Sequence, residues 1–413
     1  MVLVKKLRSI NVIGFVEGAR AESGGFGLTG VPWIHKAFAN RGYHDVLIIA
    51  GKAIPSAELF LCGNVGEVFR SPSAAAFGAV TYQARGRWQL APTLIPDLNQ
   101  YIPKADFITL HSLYSFPVLA GYLLARRHRK PYGLWPHGVL APFQRKVNWR
   151  RKWLYDRLVA RRILNEAKVL FFSALGEREE IQPLNLTTPS VIIPHGIDTR
   201  EYIDLPPRGH FRNRYFGGHV GPLVLYLGRL NAKKGLDLLA ESMANVLTRI
   251  PNVRLAIVGG GDPPKFTEQL KNQLENLHIA DRTILSGPLS GQEKLEAYAD
   301  ADVFAMPSNA ENFAFAMFEA MASRIPVVIS NTLNFASEVE RYAAGIVVDR
   351  NPDSFATAIV ELLQESESKR RQIGASGLRL AQAFSWEACG ERVERTIQCI
   401  LQNQPFPEDL RPA

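Results

Sequence analysis

Cysteine is scarce in this chain of 413 residues: Cys62, Cys389 and Cys399 are the whole complement. Three cysteines so placed have neither zinc-site spacing nor the even count of a disulfide framework. No apolar run approaches the roughly 20 residues a bilayer-spanning helix needs. The opening MVLVKKLRSINVIGFVEG has no long apolar stretch or small-residue cleavage site of the signal-peptide kind. The nine histidines show no H-E-x-x-H or other zinc spacing, and no G-x-S-x-G nucleophile elbow occurs. Tandem repeats and low-complexity tracts are also missing. These absences lead to the expectation of a cytoplasmic protein without a structural metal. The remainder, 46% hydrophobic and 21% charged, is the composition of a globular chain.

The net charge of +9 is unevenly placed. Residues 1–210 hold 27 Lys and Arg against 15 Asp and Glu, which leaves 21 of the 48 cations and 24 of the 39 anions for the rest. An anionic partner is therefore expected for the first half. Short apolar runs at 10–16, 44–51, 105–111, 131–137, 167–173 and 190–196 read as buried strands, several of them separated by helical stretches. Such alternation predicts a parallel sheet covered by helices. Around 204–221 the pattern lapses into Pro, Gly and charge. A second alternating unit follows, with strands at 222–228, 253–261, 282–287, 301–308 and 325–330. The expected organisation is α/β: a Rossmann-like domain over 1–205, a linker over 206–220, a second Rossmann-like domain over 221–385, and a C-terminal helical segment over 386–413 returning to the first. Ligands of two such doubly wound domains belong in a crevice at the C-terminal ends of the strands.

Gly25, Gly27 and Gly30 spell G-x-G-x-x-G ahead of a helical segment, which raises a dinucleotide-binding dehydrogenase. In that fingerprint the first glycine follows its strand almost at once, whereas eight residues separate Val16 from Gly25. The second strand also ends IIAGK, without the acidic residue that holds a ribose, and Asp45 lies at its start. A loop that brings backbone close to a phosphate or sugar fits better, beside the plainer reading of a surface loop. Asp300 and Asp302, in ADAD, have the look of a divalent-metal pair. Their setting between a helix end and a strand reads instead as solvated turn carboxylates.

PSNAENFAFAMFEAMASRIPVVIS (307–330) sits between two strands, with a helix expected to start near Phe313–Phe315. Glu311 falls in the loop before it and Glu319 on its second turn. Eight residues of continuous helix would rise about 12 Å, too far for a carboxylate dyad across one bond. Two separate contacts are expected, with the free amides of Phe315 and Ala316 facing a ligand anion between them. YLGRLNAKKGLDLL adds Arg229 and Lys234 in a loop at the same end of the domain, either as phosphate ligands or as solvated cations.

GRLNAKKG, the E-x7-E unit from Glu311 to Glu319 with its trailing EAMA, and PVVIS together resemble glycosyltransferase family 4, as do GGFG, IIPHGID and the terminal FSWEACGERV. The resemblance covers nearly the whole chain and is strongest over 222–345. It implies the GT-B fold, two Rossmann-like domains facing a cleft, and retaining transfer from a nucleotide-sugar donor with no metal and no cofactor. By that resemblance Arg229 and Lys234 hold the donor diphosphate, and Glu311 binds donor-sugar hydroxyls near the Phe313 and Ala314 amides. Glu319 takes the ribose hydroxyls. Gly24 and Gly25 approach the β-phosphate and the acceptor. His137, in WPHGVLAP, meets the donor sugar, the alternative being a structural histidine at a strand end. The base is expected near SGPLSG, at Gly287, Pro288 and Leu289. Two positions depart from the family pattern: Ala314 and Arg324 stand where glycine is usual.

FQRKVNWRRKWLYDRLVARRIL (143–164) packs eight Lys and Arg and four aromatics into 22 residues. Three readings stay open: docking on an anionic membrane surface, binding an anionic acceptor, and a solvated helix. Nucleic acid is not expected, because no recognised binding module accompanies the charge. PHG…AP resembles enzymes of bacterial surface-polysaccharide assembly, whose acceptors are glycans or lipid-linked. The competing functions are an NAD(P)-dependent oxidoreductase and a non-catalytic nucleotide-sugar or polysaccharide-binding protein.

Overall fold

Runs of four to eight β-branched and aromatic residues, too short for amphipathic helices, pair in parallel and bury both faces. The structure is a computed structural model and describes residues 7–14, 30–51, 64–71, 76–142, 145, 149–261 and 265–411. Gly24 and Gly25 lie outside them. The chain divides into two units, one running to Gly196 and resuming at Trp386, the other Ile197–Ser385.

The first unit carries seven strands: β1 (Arg8–Gly14), β2 (His44–Gly51), β3 (Ala76–Gln83), β4 (Phe107–His111), β5 (Tyr132–Trp135), β6 (Val169–Phe172) and β7 (Ser190–Ile192). Their order is β3-β2-β1-β4-β5-β6-β7, all parallel. The chain therefore reverses its direction of winding between β1 and β4. Residues such as Ile10, Val12, Ile108 and Leu110 are fully buried, as a sheet covered on both faces requires. The C-terminal helix Trp386–Leu401 belongs to this unit and lies against the helix Val31–Ala39. Gly390 permits that approach, since a Cβ there would stand 2.7 Å from the carbonyl carbon of Ala37. Glu394 accepts hydrogen bonds from Arg41 and the Tyr43 hydroxyl beside the seam.

The second unit has six strands: β8 (Leu223–Leu227), β9 (Arg254–Val258), β10 (Thr283–Gly287), β11 (Val303–Met306), β12 (Val327–Ser330) and β13 (Gly345–Val348). They run parallel in the order β10-β9-β8-β11-β12-β13, with the reversal between β8 and β11.

Two strands, β3 and β13, escape the sequence reading, and both are edge strands. β3 has a broken apolar pattern and β13 is only four residues long, and the burial of both is partial. The stretch read as a linker contains a helix, His210–Phe216, docked within the second unit. Its anchor corrects the reading of Asp300 and Asp302. Asp300 is fully buried, accepting from the backbone N–H groups of Gly209 and Arg212 at 2.5 and 2.8 Å. Asp302 takes Arg208 and Arg212 at 2.7 and 2.8 Å. These carboxylates are a buried clasp, not solvated turn residues. Among the described residues no group of His, Cys, Asp and Glu could hold a metal ion.

Candidate active site

In the second unit the loops leaving β8 and β11 emerge on either side of the winding reversal, the place where doubly wound sheets take ligands. The β8 loop is bent by Gly235, whose φ of +66° favours glycine and whose absent side chain lets the backbone approach. A Cβ there would stand 2.4 Å from the Pro307 carbonyl oxygen. The Asn309 amide donates to the Lys233 carbonyl at 2.8 Å, and Arg350 Nε donates to the Pro307 carbonyl at 3.0 Å. Stitched together in this way, the loops bring Lys234 Nζ to 2.5 Å from Glu311 Oε1, with both side chains largely buried. Asn334 Nδ2 holds the Glu311 carbonyl from the other side. Arg229 lies on the same loop, its side chain exposed and its carbonyl accepting from the Tyr226 hydroxyl at 3.1 Å. Burial raises the Tyr226 hydroxyl pKa well above its usual value; Glu311 raises it further and Arg229 opposes.

The helix after β11 runs Phe315–Ala322. Its start falls within the expected Phe313–Phe315, so Glu311 lies in the loop before it and Glu319 on its second turn, as the sequence reading expected. No side chain caps its N-terminus, and its first turn carries no acid. Ala314, the residue before it, adopts φ +59° and ψ 54°, the left-handed region that glycine favours. Arg324 repeats the pattern at φ +61°. At both departures from the family's glycines the left-handed backbone is present and the glycine is not. Phe313 is 2% exposed and stacks on Phe318 with ring centroids 4.4 Å apart, so its side chain is core, and only its backbone remains for a ligand.

Glu319 has its own partners, which sequence reasoning did not find. Tyr298 donates to Oε2 at 2.7 Å and Lys294 to Oε1 at 3.2 Å, while Lys294 also reaches the Tyr202 hydroxyl at 3.0 Å. The available signal was Lys294 and Tyr298 four residues apart on one face of the helix Gly291–Asp300. Burial raises both tyrosine hydroxyls, and the Glu319 charge adds to it. The two glutamates thus occupy separate polar settings. Gly287 ends β10 with φ +77° and accepts from the Gly259 amide at 2.9 Å, with Pro288 exposed beyond it and Leu289 partly so. This places the proposed base loop on the edge strand, two positions from β8.

In the first unit His137 follows β5 at φ +54°. Its ring lies near-parallel to those of both His111 and Trp135, with centroids at 5.2 and 5.4 Å, and its Nε2 lies 2.9 Å from His111 Nδ1. The next amide, Gly138, donates to Glu177 Oε1 at 2.6 Å, and Glu177 Oε2 takes the Ser173 amide and hydroxyl. Burial raises the Glu177 carboxyl pKa above its usual value, against those donors. Asp45 is fully buried and paired with Asn11 and His35, so it is no ribose ligand.

Residues 34–201 match the family described as Glycosyltransferase Family 4, and residues 217–378 match Glycosyl transferases group 1. A GDP-mannose-dependent alpha-(1-6)-phosphatidylinositol monomannoside mannosyltransferase of Mycolicibacterium smegmatis is 30% identical over 320 residues, 74% of this chain and 80% of that protein. A D-inositol 3-phosphate glycosyltransferase of Kineococcus radiotolerans is 28% identical over 259 residues, 59% of each chain and so less than two thirds of that relative. The crystal structure of Anabaena HepE in complex with UDP and glucose superposes with a TM-score of 0.70 at 18% identity, covering 95% of this chain and 99% of that one. The fold is therefore that of the GT-B glycosyltransferases. The chain belongs to the group 1, family 4 glycosyltransferases and is an enzyme of that class.

Proposed function

We propose that the protein transfers a sugar from a nucleoside-diphosphate sugar to a glycan or lipid-linked acceptor, with retention at the anomeric carbon and without a metal, in the building of a bacterial polysaccharide or glycolipid. The observation that carries this reading is the meeting of Lys234 and Glu311 on the two loops flanking the β8/β11 reversal, beside a helix N-terminus that no side chain caps. A diphosphate satisfies the cations Lys234 and Arg229 and the amides of Phe315 and Ala316. Glu311, its charge offset by Lys234, accepts from sugar hydroxyls. Each Glu319 oxygen keeps a lone pair beyond the bond it already accepts, so the carboxylate can take two ribose hydroxyls. The anomeric carbon–oxygen bond to the β-phosphate breaks as the acceptor oxygen bonds from the same face, and the acceptor proton passes to the departing phosphate oxygen. Charge grows on that phosphate in the transition state, where Lys234 and Arg229 stabilise it most. His137 is assigned to the donor sugar and Gly287 to the base loop, both by family resemblance.

The acceptor side is read from the basic helical segment. Trp153, Leu154 and Leu158 are 57%, 54% and 58% exposed, interleaved with exposed Arg157, Arg161 and Arg162, while Ala160, Ile163 and Leu164 seat the segment on the sheet. Apolar wedges among cations suit an anionic membrane surface. A cavity of about 210 Å³ beside it is lined by Arg145, Arg161, Asp156 and apolar residues such as Leu184 and Leu186, so two cations there outnumber one carboxylate. The names of the two relatives, with an inositol 3-phosphate in one and a phosphatidylinositol monomannoside in the other, favour an anionic acceptor. Among the described residues no helix is long and apolar enough to cross a membrane.

The test is a panel of nucleotide sugars with phosphorylated and lipid-linked acceptors, read by nucleoside diphosphate release and by proton NMR of the product. One donor should be consumed, its anomeric configuration kept, with EDTA without effect and Glu311→Gln strongly impaired. An inverted product or an EDTA-sensitive reaction would refute the mechanism. Hydride transfer to a nicotinamide would refute the class of substrate.

A further inference from the structure

His35, His111, His137 and His195 cluster within the first unit, and the first three form an unbroken hydrogen-bonded chain. Asn11 Nδ2, on β1, donates to Asp45 Oδ1 on β2. Asp45 Oδ2 lies 2.8 Å from Nδ1 of His35, on the helix Val31–Ala39. His35 Nε2 lies 2.9 Å from Nε2 of His111, at the end of β4. His111 Nδ1 lies 2.9 Å from Nε2 of His137. Asp45, His35 and His111 are each at most 1% exposed. The chain climbs from near the N-terminal edge of the sheet, where Asp45 is level with Ser9, to its C-terminal edge, where His111 is level with Ile13.

In a chain of N–H···N bonds each ring has one proton to give and one lone pair to receive it, so the direction set at one end is the direction everywhere. A carboxylate only accepts. Asp45 therefore requires a proton on His35 Nδ1, which leaves His35 Nε2 to accept from His111 Nε2–H. His111 Nδ1 then accepts from His137 Nε2–H, and Nδ1 is the ring nitrogen through which His137 addresses anything else, as an acceptor. We propose that Asp45, His35 and His111 are positioning residues for His137, fixing through three hydrogen bonds which of its nitrogens carries the proton. This rests on the assignment of His137 to the donor sugar only for its consequence: an acceptor nitrogen selects a sugar hydroxyl as donor. A proton taken up at His137 Nδ1 and handed along the chain reverses both N–H···N bonds, leaves His137 protonated on Nδ1, and leaves the new charge at His35 beside Asp45, whose bond keeps its direction. The rings themselves resist charging, since burial pushes His111 and His137 well below the usual histidine pKa, with neighbouring histidines adding to the effect.

Asn11 makes a clean test possible. Its Nδ2 also donates to the Val46 carbonyl at 3.2 Å, so turning the amide over would set two carbonyl oxygens face to face. In Asp45→Asn, Asn11 then holds the new carbonyl oxygen and directs the new NH2 at His35 Nδ1. A donor replaces an acceptor without a change of shape, and all three rings must reverse. Selectively 15N-histidine-labelled full-length protein at pH 8, read by long-range 1H–15N correlation, should show His137 protonated on Nε2 in the wild type and on Nδ1 in Asp45→Asn. Nitrogen–nitrogen couplings across the His35–His111 and His111–His137 bonds should be present in the wild type, which keeps the test independent of how well the variant folds. A wild-type His137 protonated on Nδ1, missing couplings, or the same tautomer in both proteins would overturn the relay. Transfer assays on the same samples test the donor assignment separately. A reversed tautomer with a raised KM for the nucleotide sugar supports both; a reversed tautomer with unchanged kinetics leaves the relay standing and removes His137 from the donor site.

Discussion

Lys234 is held by Glu311 at 2.5 Å, and the proposed chemistry asks its ammonium to serve both that carboxylate and a diphosphate. Charge-assisted hydrogen bonds contribute about 1.5–3 kcal/mol each. Lys234→Ala should therefore lower kcat/KM by roughly 10- to 150-fold, measured with the donor that the panel identifies. An unchanged kcat/KM would remove Lys234 from the site. Ala314 gives a prediction of the opposite sign for stability. An L-residue in the left-handed region costs about 1–2 kcal/mol, and glycine's extra unfolded-state freedom returns part of that. Ala314→Gly should stabilise the fold by up to about 1 kcal/mol in urea titration; a loss of stability would mean the methyl group packs usefully. Glu311, Glu319, Lys234 and the glycine departures were legible as letters because each stands in a spaced motif. Lys294 and Tyr298 were not, because they lie on another helix, 25 and 21 residues away in sequence from the carboxylate they meet.

Loops and helices carry the next set of consequences. The helix His210–Phe216 looks in sequence like the middle of a linker, since Pro, Gly and charge dominate its surroundings. What folds it is Arg212, whose guanidinium reaches Asp302 and the carbonyls of Asp300, His219 and Gly221. No local pattern predicts a helix held by one buried arginine. Removing one partner of such a buried pair costs about 3–5 kcal/mol. Arg212→Ala should show that loss in urea unfolding followed by tryptophan fluorescence or circular dichroism, and a cost below about 1 kcal/mol would put the clasp among ordinary surface pairs. The basic segment over 143–164 was legible as amphipathic, but its outward face was not. The single π-turn Asp156–Ala160 shifts the phase, and three large apolar side chains end up in solvent. Each surface-proximal cation contributes about 1 kcal/mol on anionic lipid. Co-sedimentation with phosphatidylglycerol vesicles should exceed that with phosphatidylcholine, fall with added salt, and drop in a Trp153→Ala, Leu158→Ala double variant. Equal binding to both vesicles would favour the acceptor-site or solvated-helix reading.

Two parallel sheets with one reversal each were legible from the alternation of short apolar runs with helical stretches, because buried parallel strands announce themselves by composition. Two of the four edge strands were not legible: β3, AFGAVTYQ, is interrupted by glycine and ends in polar residues, and β13, GIVV, is only four residues long. The buried histidine chain was invisible for a related reason. His35, His111 and His137 share no spacing, and only the sheet order brings them together. That chain and its neighbour give the molecule an acid weakness. Burial lowers the pKa of His111 and His137 well below 6.5 and that of His195 to about 3. Below about pH 6.5 the unfolded chain takes up protons that the native one refuses, so stability falls as pH falls. Each neutral buried ring contributes up to about 1.4 kcal/mol of loss per pH unit in that window, and the His195 share continues down to about pH 3. Glu177, held above its usual value by burial, works in the opposite sense. Urea midpoints between pH 7 and pH 5 should fall steeply, and a flat profile would show that the histidines are not buried as neutral rings.

On the proposed reading, the loops after β8 and β11, with Glu319 on the helix behind them, hold a nucleoside diphosphate. The most direct test of that reading is a thermal-shift titration with UDP, GDP, ADP, their common sugar conjugates, NAD and NADP, on the wild type and on Glu319→Ala. A ligand at 100 times its dissociation constant stabilises by about 2.7 kcal/mol, ample for a clear rise in Tm. One nucleoside diphosphate and its sugar conjugate should raise the Tm of the wild type, and Glu319→Ala should abolish the rise. A shift with NAD or NADP alone, or a diphosphate shift that Glu319→Ala leaves intact, would contradict the account.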